Sequence, residues 1–314
     1  MTLNEFLAEW HNDNPRILVH TSGSTGKPKP LMVEKRRMLN SARITCDFLG
    51  LKPGDTALLC MPLDYIAGKM MVVRSLQRDL RLTSVRPSSH FTFAAMVPMQ
   101  VYNTLKVPCE RERLMHIRHL IIGGGAISDE LAQMIKPLPN AVWSTYGMTE
   151  TLSHIALRRL NGPDASLWYT PFDGVGISLN ADGCLVIDAP EVCAEPLVTN
   201  DIALLRTDDR TGKTLFRIKG RKDNVVCSGG IKIQIEEVEE TLRPHLSAPF
   251  MIVKKQDEML GEKAILLTES ADLPHIEEIC RNTLPKYWVP REFLHIDHLP
   301  LTETGKPRRS FTPR

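Results

Sequence analysis

The sequence predicts an α/β fold of 314 residues. A large unit carries a mainly parallel, helix-covered sheet, an antiparallel β region follows it, and a small α+β module closes the chain. Three observations predict this. Apolar strand-like runs take turns with helical patterns through the first half, which is how helices come to cover a parallel sheet. From about Asn161 the texture changes to paired short strands joined by turn residues. After Asp223 helices and strands mix within about 90 residues, enough for a domain of its own.

"RILVH" reads as a strand, and "KRRMLNSARITCDFLG" as a helix with Met38, Leu39, Ala42, Cys46 and Leu49 on one side and Gly50 as its C-terminal cap. "LKPGD" is a turn. "TALLCMP" is a strand, "AGKMMVVRSLQRD" a helix, "LRLTSV" a strand, and "FAAMVPMQVYNTL" a helical stretch. "HLIIGGG" is a strand, "SDELAQMI" a short helix and "AVWSTYG" a strand. "GVGISLNADGCLVID" forms a hairpin turning at Asp182-Gly183, and "DIALLRTDDRTGKTLFRIKGR" a second with a longer loop. The tail module reads as helix "IQIEEVEETLRPHL", strands "PFMIVKK" and "AILLTE", helix "PHIEEICRNTL" and strand "EFLHIDHLP". No internal repeat or low-complexity tract is present.

Composition narrows the function. Hydrophobic residues make up 42% and charged residues 24%, ordinary values for a globular protein. A net charge of +2 gives no reason to expect nucleic acid or a membrane surface as partner, so small ligands are the expectation. The first residues show no signal-peptide pattern and no stretch approaches the roughly 20 apolar residues of a membrane span. Seven scattered cysteines without a CxxC pair argue against a disulfide framework or zinc site. The expected location is the reducing cytoplasm.

The segment "HTSGSTGKPKP" (20–30) invites comparison with a Walker A loop and fails it. Only Ser24 and Thr25 separate Gly23 from Gly26, and Lys27 precedes Pro28 rather than a hydroxyl. Its composition still suits an anion: glycines free backbone N–H groups, Thr21, Ser22, Ser24 and Thr25 offer hydroxyls, and Lys27 and Lys29 add charge. A solvated surface turn is an equal alternative on the loop alone. This loop, "GGGA" and "YGMTET" all fall beyond strand C-terminal ends, where open α/β sheets bind ligands.

Six segments in order resemble the adenylate-forming acyl- and aryl-CoA ligase superfamily: "TSGSTGKPK" (21–29), "GGGAIS" (123–128), "YGMTET" (146–151), "TND" (199–201), "GRKDNVVCSGG" (220–230) and "LPLTETGKPRR" (299–309). Within it, "MPLDYIAGKMMVVRSL" and "YGMTETLSHIALR" are most similar to the o-succinylbenzoate–CoA ligases of menaquinone biosynthesis. The resemblance implies the adenylate-forming fold, with ATP, Mg2+ and coenzyme A as reactants or cofactors. It places ATP phosphates on Thr21, Ser22, Gly23, Ser24, Thr25, Gly26 and Lys29, and adenine near Gly124, Gly125, Tyr146, Gly147 and Met148. Thr149 would serve the α-phosphate, Glu150 the magnesium, and Asp201 the ribose, with Asp208 as its rival. Arg221 would contact ribose or phosphate.

Lys306 is the catalytic lysine by the same resemblance, Asp223 the hinge, and Ser228, Gly229 and Gly230 line the coenzyme A channel. Pro30 stands where the family usually has glycine. Succinylbenzoate keeps one carboxylate that is not activated, and its burial demands a cation. Arg74 is the choice over Lys69: five residues apart on one helix, the two do not share a face, and at most one is expected to point inward. His20 and His154 receive no catalytic role. The expected domains are 1–222, binding ATP and acid, and 223–314, mobile and carrying Lys306. The family carries well over a hundred further residues ahead of the phosphate loop, so a compact subgroup is expected. A nucleotide-binding homologue without turnover, another aryl- or acyl-CoA ligase and an adenylation module serving a carrier protein are the alternatives. Homo-oligomerisation stays open.

Overall fold

The computed structural model describes residues 1–20, 30–84, 90–301 and 307–309. Two compact units emerge: Met1–Ser178 with Val186–Leu197 and Leu205–Arg217, and Leu179–Leu185 with Val198–Leu204 and Ile218–Arg314.

The first unit opens with α1 (Leu3–His11), whose Thr2 cap and Glu5 form a reciprocal capping box. That helix was not expected from the hydrophobic pattern, although "TLNE" carries its start signal. Strand β1 (Arg16–His20) pairs antiparallel with β2 (Pro30–Glu34), so "RILVH" belongs to a separate hairpin and not to the parallel sheet. Helix α2 (Lys35–Leu49) ends where expected: Gly50 takes φ 62° and the Gly50 and Leu51 amides bond back to Asp47 and Cys46. Then follow β3 (Thr56–Leu58), α3 (Ile66–Arg78), β4 (Arg81–Thr83), β5 (Phe91–Met96), α4 (Pro98–Lys106), α5 (Pro108–Met115), β6 (Ile117–Ile122), α6 (Asp129–Ile135), β7 (Ala141–Gly147), β8 (His154–Arg159) and β9 (Thr170–Pro171).

The seven strands run in the order β4-β3-β5-β6-β7-β8-β9. Pairing is parallel from β4 through β7, and β8 and β9 add antiparallel edges. Alternation along each strand divides the core between the two faces. Leu58, Ala94, Leu120 and Ile122 pack with Val101, Leu105, Leu131 and Ile135 of α4 and α6, while Ala57, Phe93 and Ile121 pack with Cys46, Leu49 and Met71 of α2 and α3. "FAAM", expected as helix, is strand β5; a short apolar run fits either period, and Pro98 at the helix start holds Val97 extended.

A four-stranded antiparallel region follows, β10 (Gly176–Leu179), β11 (Cys184–Asp188), β12 (Leu197–Thr207) and β13 (Thr214–Arg221), in sequence order. In the second unit come β14 (Val225–Ser228), β15 (Ile231–Gln234), α7 (Ile235–Leu242), β16 (Phe250–Asp257), β17 (Gly261–Thr268), α8 (Leu273–Thr283) and β18 (Glu292–His295). Their sheet runs β15-β14-β17-β16, with β18 parallel to β17. Val238, Leu242, Ile276 and Cys280 of the two helices cover Val226, Ile252 and Leu266 on one face. Among the described residues no helix is long and apolar enough to cross a membrane.

Candidate active site

Thr21, Ser22, Gly23, Ser24, Thr25, Gly26, Lys29 and Lys306 lie outside the described residues. The remaining expected site residues fall into two groups, one in each unit.

In the first unit, strand β7 delivers Tyr146 and Gly147 at its C-terminal end, and residues 149–151 form a 3-10 turn that leads into β8. The Tyr146 ring packs edge-on against Phe216 at 5.0 Å and tilted against Tyr169 at 5.8 Å. Gly147 faces His154 across a bulge, and a Cβ there would collide with the Ser153 carbonyl and the His154 backbone. Thr151 fixes the turn: its hydroxyl contacts the Met148 carbonyl and accepts from the Met148 amide. Thr149 is buried, whereas the Glu150 carboxylate is exposed and its main-chain oxygen accepts from Cys193. Leu152 holds φ 64°, a conformation costly without glycine, and this sends Ser153 and His154 back along β7. After β6, a Cβ on Gly123 would strike Thr145, and Gly124 sits at φ 79°. Close strand packing therefore explains Gly123 without a purine.

Lys69 and Arg74 correct the expectation that at most one points inward: both are buried. Gly68 through Ser75 of α3 are buried all round, so angular separation along the helix does not separate inside from outside. Lys69 Nζ donates to the Leu18 carbonyl at 2.9 Å and lies 5.9 Å from the Phe6 ring centre. Arg74 Nη2 donates to Ser153 Oγ at 2.5 Å, and its Nε is buried with no hydrogen-bond partner among the described residues. Burial pulls the Arg74 guanidinium down to about 10, and the neighbouring Cys46 opposes this weakly. His154, buried beside Arg74, is held well below the usual imidazole range by desolvation and then by that positive charge. As expected it is a hydrogen-bonded core histidine, touching Thr45 and Ser153 at 3.2 Å each. A cavity of about 380 Å3 lined by Cys60, Met96, Gln100, Thr104 and Glu110 contains none of the expected site residues.

In the second unit Arg221 joins two carboxylates, Asp201 Oδ1 at 3.2 Å and Asp223 Oδ2 at 2.8 Å, and Asn200 also donates to Asp223. Asp201 lies within β12, its amide bonded to the buried Thr199 hydroxyl. Asp208, which belongs to the first unit, lies in the β12–β13 turn, where Thr211 and the Arg210 amide occupy its carboxylate. Gly229 and Gly230, at φ 57° and 84°, form the two-residue turn between β14 and β15, which demands positive φ at both positions. The Gly-Gly pair signals this hairpin in the sequence, and the expected elements had missed it.

Among the described residues no group of three or more His, Cys, Asp or Glu side chains could hold a metal ion. A single exposed carboxylate, Glu150, nevertheless suits magnesium, which takes one or two carboxylates beside substrate phosphates.

A family model described as AMP-binding enzyme matches residues 4–194. A structure described as an acyl-CoA synthetase (AMP-forming)/AMP-acid ligase II-like protein from Dyadobacter fermentans DSM 18053 is 31% identical, with TM-score 0.65, covering 98% of this chain and 91% of that one. The o-succinylbenzoate coenzyme A synthetase from Bacillus subtilis, solved with ATP and magnesium ion, shares the fold at TM-score 0.73 and 22% identity, covering 93% of this chain and 68% of that one. The 2-succinylbenzoate–CoA ligase of Bacillus mycoides (strain KBAB4) is 25% identical, covering 95% of this chain and 69% of the relative.

Proposed function

We propose that this chain, which belongs to the AMP-binding enzyme family, is an ATP-dependent acid–CoA ligase whose acid is o-succinylbenzoate or a close dicarboxylate. A carboxylate oxygen attacks the α-phosphorus of ATP, the bond to the bridging oxygen breaks, and pyrophosphate leaves. The thiol of coenzyme A then attacks the acyl carbon, losing its proton to solvent, and AMP departs with the C–O bond electrons. Lys306 neutralises charge at the α-phosphorus, and Thr21–Gly26 with Lys29 receive the outer phosphates. Tyr146, Gly147 and Met148, with Gly124 and Gly125, receive adenine, and Thr149 the α-phosphate. Asp201 and Arg221 take the ribose, Asp223 is the hinge, and Ser228, Gly229 and Gly230 border the thiol arm. Glu150 would hold magnesium, which supplies charge neutralisation to the phosphates when bound.

One observation carries the dicarboxylate reading. Arg74 is 2% exposed, and among the described residues no carboxylate pairs with it. A buried guanidinium without a counter-ion is costly, and an anionic substrate group removes that cost. Its planar fork suits a carboxylate. Lys69 is already committed to the Leu18 carbonyl and supports the β1–β2 hairpin instead.

The test is coenzyme-A-dependent pyrophosphate release across a panel of aryl and acyl acids, with ATP calorimetry alongside. The expected result is highest kcat/KM for 2-succinylbenzoate, and for Arg74→Ala a rise in its KM of roughly 10-fold or more. Heat with ATP but no pyrophosphate with any acid would replace the enzyme by a nucleotide binder.

A further inference from the structure

We infer that His154 is a positioning residue that, through Ser153, orients the Arg74 guanidinium as receptor for the second anionic group of the acid. The inference rests on the ligase reading above and extends it to three residues with no assigned role: Thr45, Ser153 and His154.

Proton counting fixes the direction of the chain. Thr45 Oγ1 lies 3.0 Å from the Ser41 carbonyl, which can only accept, so the single hydroxyl proton points there. Toward His154 Nε2, at 3.2 Å, the same oxygen must therefore accept, and Nε2 carries the imidazole proton. The neutral ring then has its lone pair on Nδ1. Ser153 Oγ, at 3.2 Å, donates to it. With its proton spent, Ser153 Oγ accepts from Arg74 Nη2 at 2.5 Å. Every proton points from Arg74 toward the Ser41 carbonyl, and each link has one consistent assignment.

The ring itself has little freedom. His154 stands edge-on to Phe172 at 5.5 Å, and its backbone sits opposite Gly147. Among the described residues no carboxylate pairs with Arg74. The relay consumes one guanidinium edge through Nη2 and leaves the buried Nε unspent. A guanidinium pinned at one corner by a hydroxyl that can only accept from it is preorganised, so less freedom is lost when an anion binds. Removing the relay would leave Arg74 charged but free to turn.

Three variants test this by steady-state kinetics: His154→Phe, which keeps an aromatic ring against Phe172, Ser153→Ala, which removes the middle link, and His154→Gln, which restores polar atoms. Substrates are 2-succinylbenzoate and the analogue that keeps the activated carboxylate and lacks the other. For 2-succinylbenzoate the expected result is a KM raised about 10-fold in His154→Phe and Ser153→Ala, partly recovered in His154→Gln, with kcat and the KM for ATP little changed. For the analogue lacking the Arg74-bound carboxylate, KM should not move. Equal shifts for both acids, or none, while Arg74→Ala still discriminates between them, would overturn the role of His154 alone. If Arg74→Ala also fails to discriminate, the dicarboxylate reading itself is overturned. Should His154→Phe not fold, Ser153→Ala decides the outcome.

Discussion

Removing the Glu239 carboxylate should cost the second unit a large share of its stability. Glu239 and Arg309 form a two-pronged ion pair, 2.6 and 2.7 Å, with side chains 7% and 16% exposed. Glu239 Oε1 also accepts the Ile252 amide at 2.7 Å, and Arg309 donates to the Ile252 carbonyl at 2.7 Å. Truncation to alanine leaves a buried guanidinium without its counter-charge, a loss of about 3–5 kcal/mol. The freed Ile252 amide overlaps with that figure rather than adding to it in full, since both share one carboxylate. Against a typical total of about 5–15 kcal/mol, such a loss takes the unit close to unfolding. Native-state hydrogen exchange reads it locally: amides of β16 and β17 should exchange roughly 10²–10⁴ times faster in Glu239→Ala. Glu239→Leu combined with Arg309→Met should recover most of this, because an apolar pair of similar volume needs no counter-charge. Acceleration below about 5-fold in Glu239→Ala would mean that the pair behaves as a surface contact, refuting the burial argument. Under the proposed ligase reading the consequence would reach the chemistry, because Arg309 follows Lys306 by three positions in the sequence.

Three other perturbations have defined outcomes. Gly147→Ala forces backbone apart at Ser153 and His154 and should lower stability by about 1–3 kcal/mol, read as a fall of several degrees in Tm, together with loss of pyrophosphate release. His119 is held down to about 4 by burial and then by Arg118 and Arg159, and neither ring nitrogen has a partner among the described residues. The unfolded chain takes up that proton at the ordinary 6.5, so stability should fall as pH drops from about 6.5 toward 4; Tm scans should show a shallower decline in His119→Leu, and identical slopes would exclude His119 as the source. Lys69→Met keeps the buried stem but loses the bond to Leu18, two positions before His20. It should raise the KM for ATP several-fold and leave that for the acid unchanged, and the reverse pattern would return Lys69 to the acid.

The sequence exposed whatever depends on local period or on one obligatory backbone state. The apolar run bounded by glycines in "HLIIGGG", the helix ending at Gly50 and the Asp182-Gly183 hairpin are of that kind, and all three form as expected. Strand β5 shows the limit: a short apolar run before a proline satisfies either period, and only the neighbouring β3 and β6 decide between them. The same limit applies to the candidate site. Spacing along α3 separates Lys69 from Arg74 by angle, but whether a direction leads to solvent depends on what encloses the helix. Here α2 and the sheet enclose it, and both cations are buried. Nor does the chain order reveal the relay, since Arg74 meets Ser153 across 79 positions and Thr45 meets His154 across 109. "SHIALR" looks like the start of an ordinary strand until the strained Leu152 and the absent side chain of Gly147 are seen to bring it against α2 and α3. A motif records which groups a reaction requires, whereas the groups that hold them in place can come from any element the fold brings near. For Arg74, those supporting groups are one hydroxyl of the turn and one imidazole of β8, so the proposed dicarboxylate preference would be a property of packing as much as of the guanidinium itself.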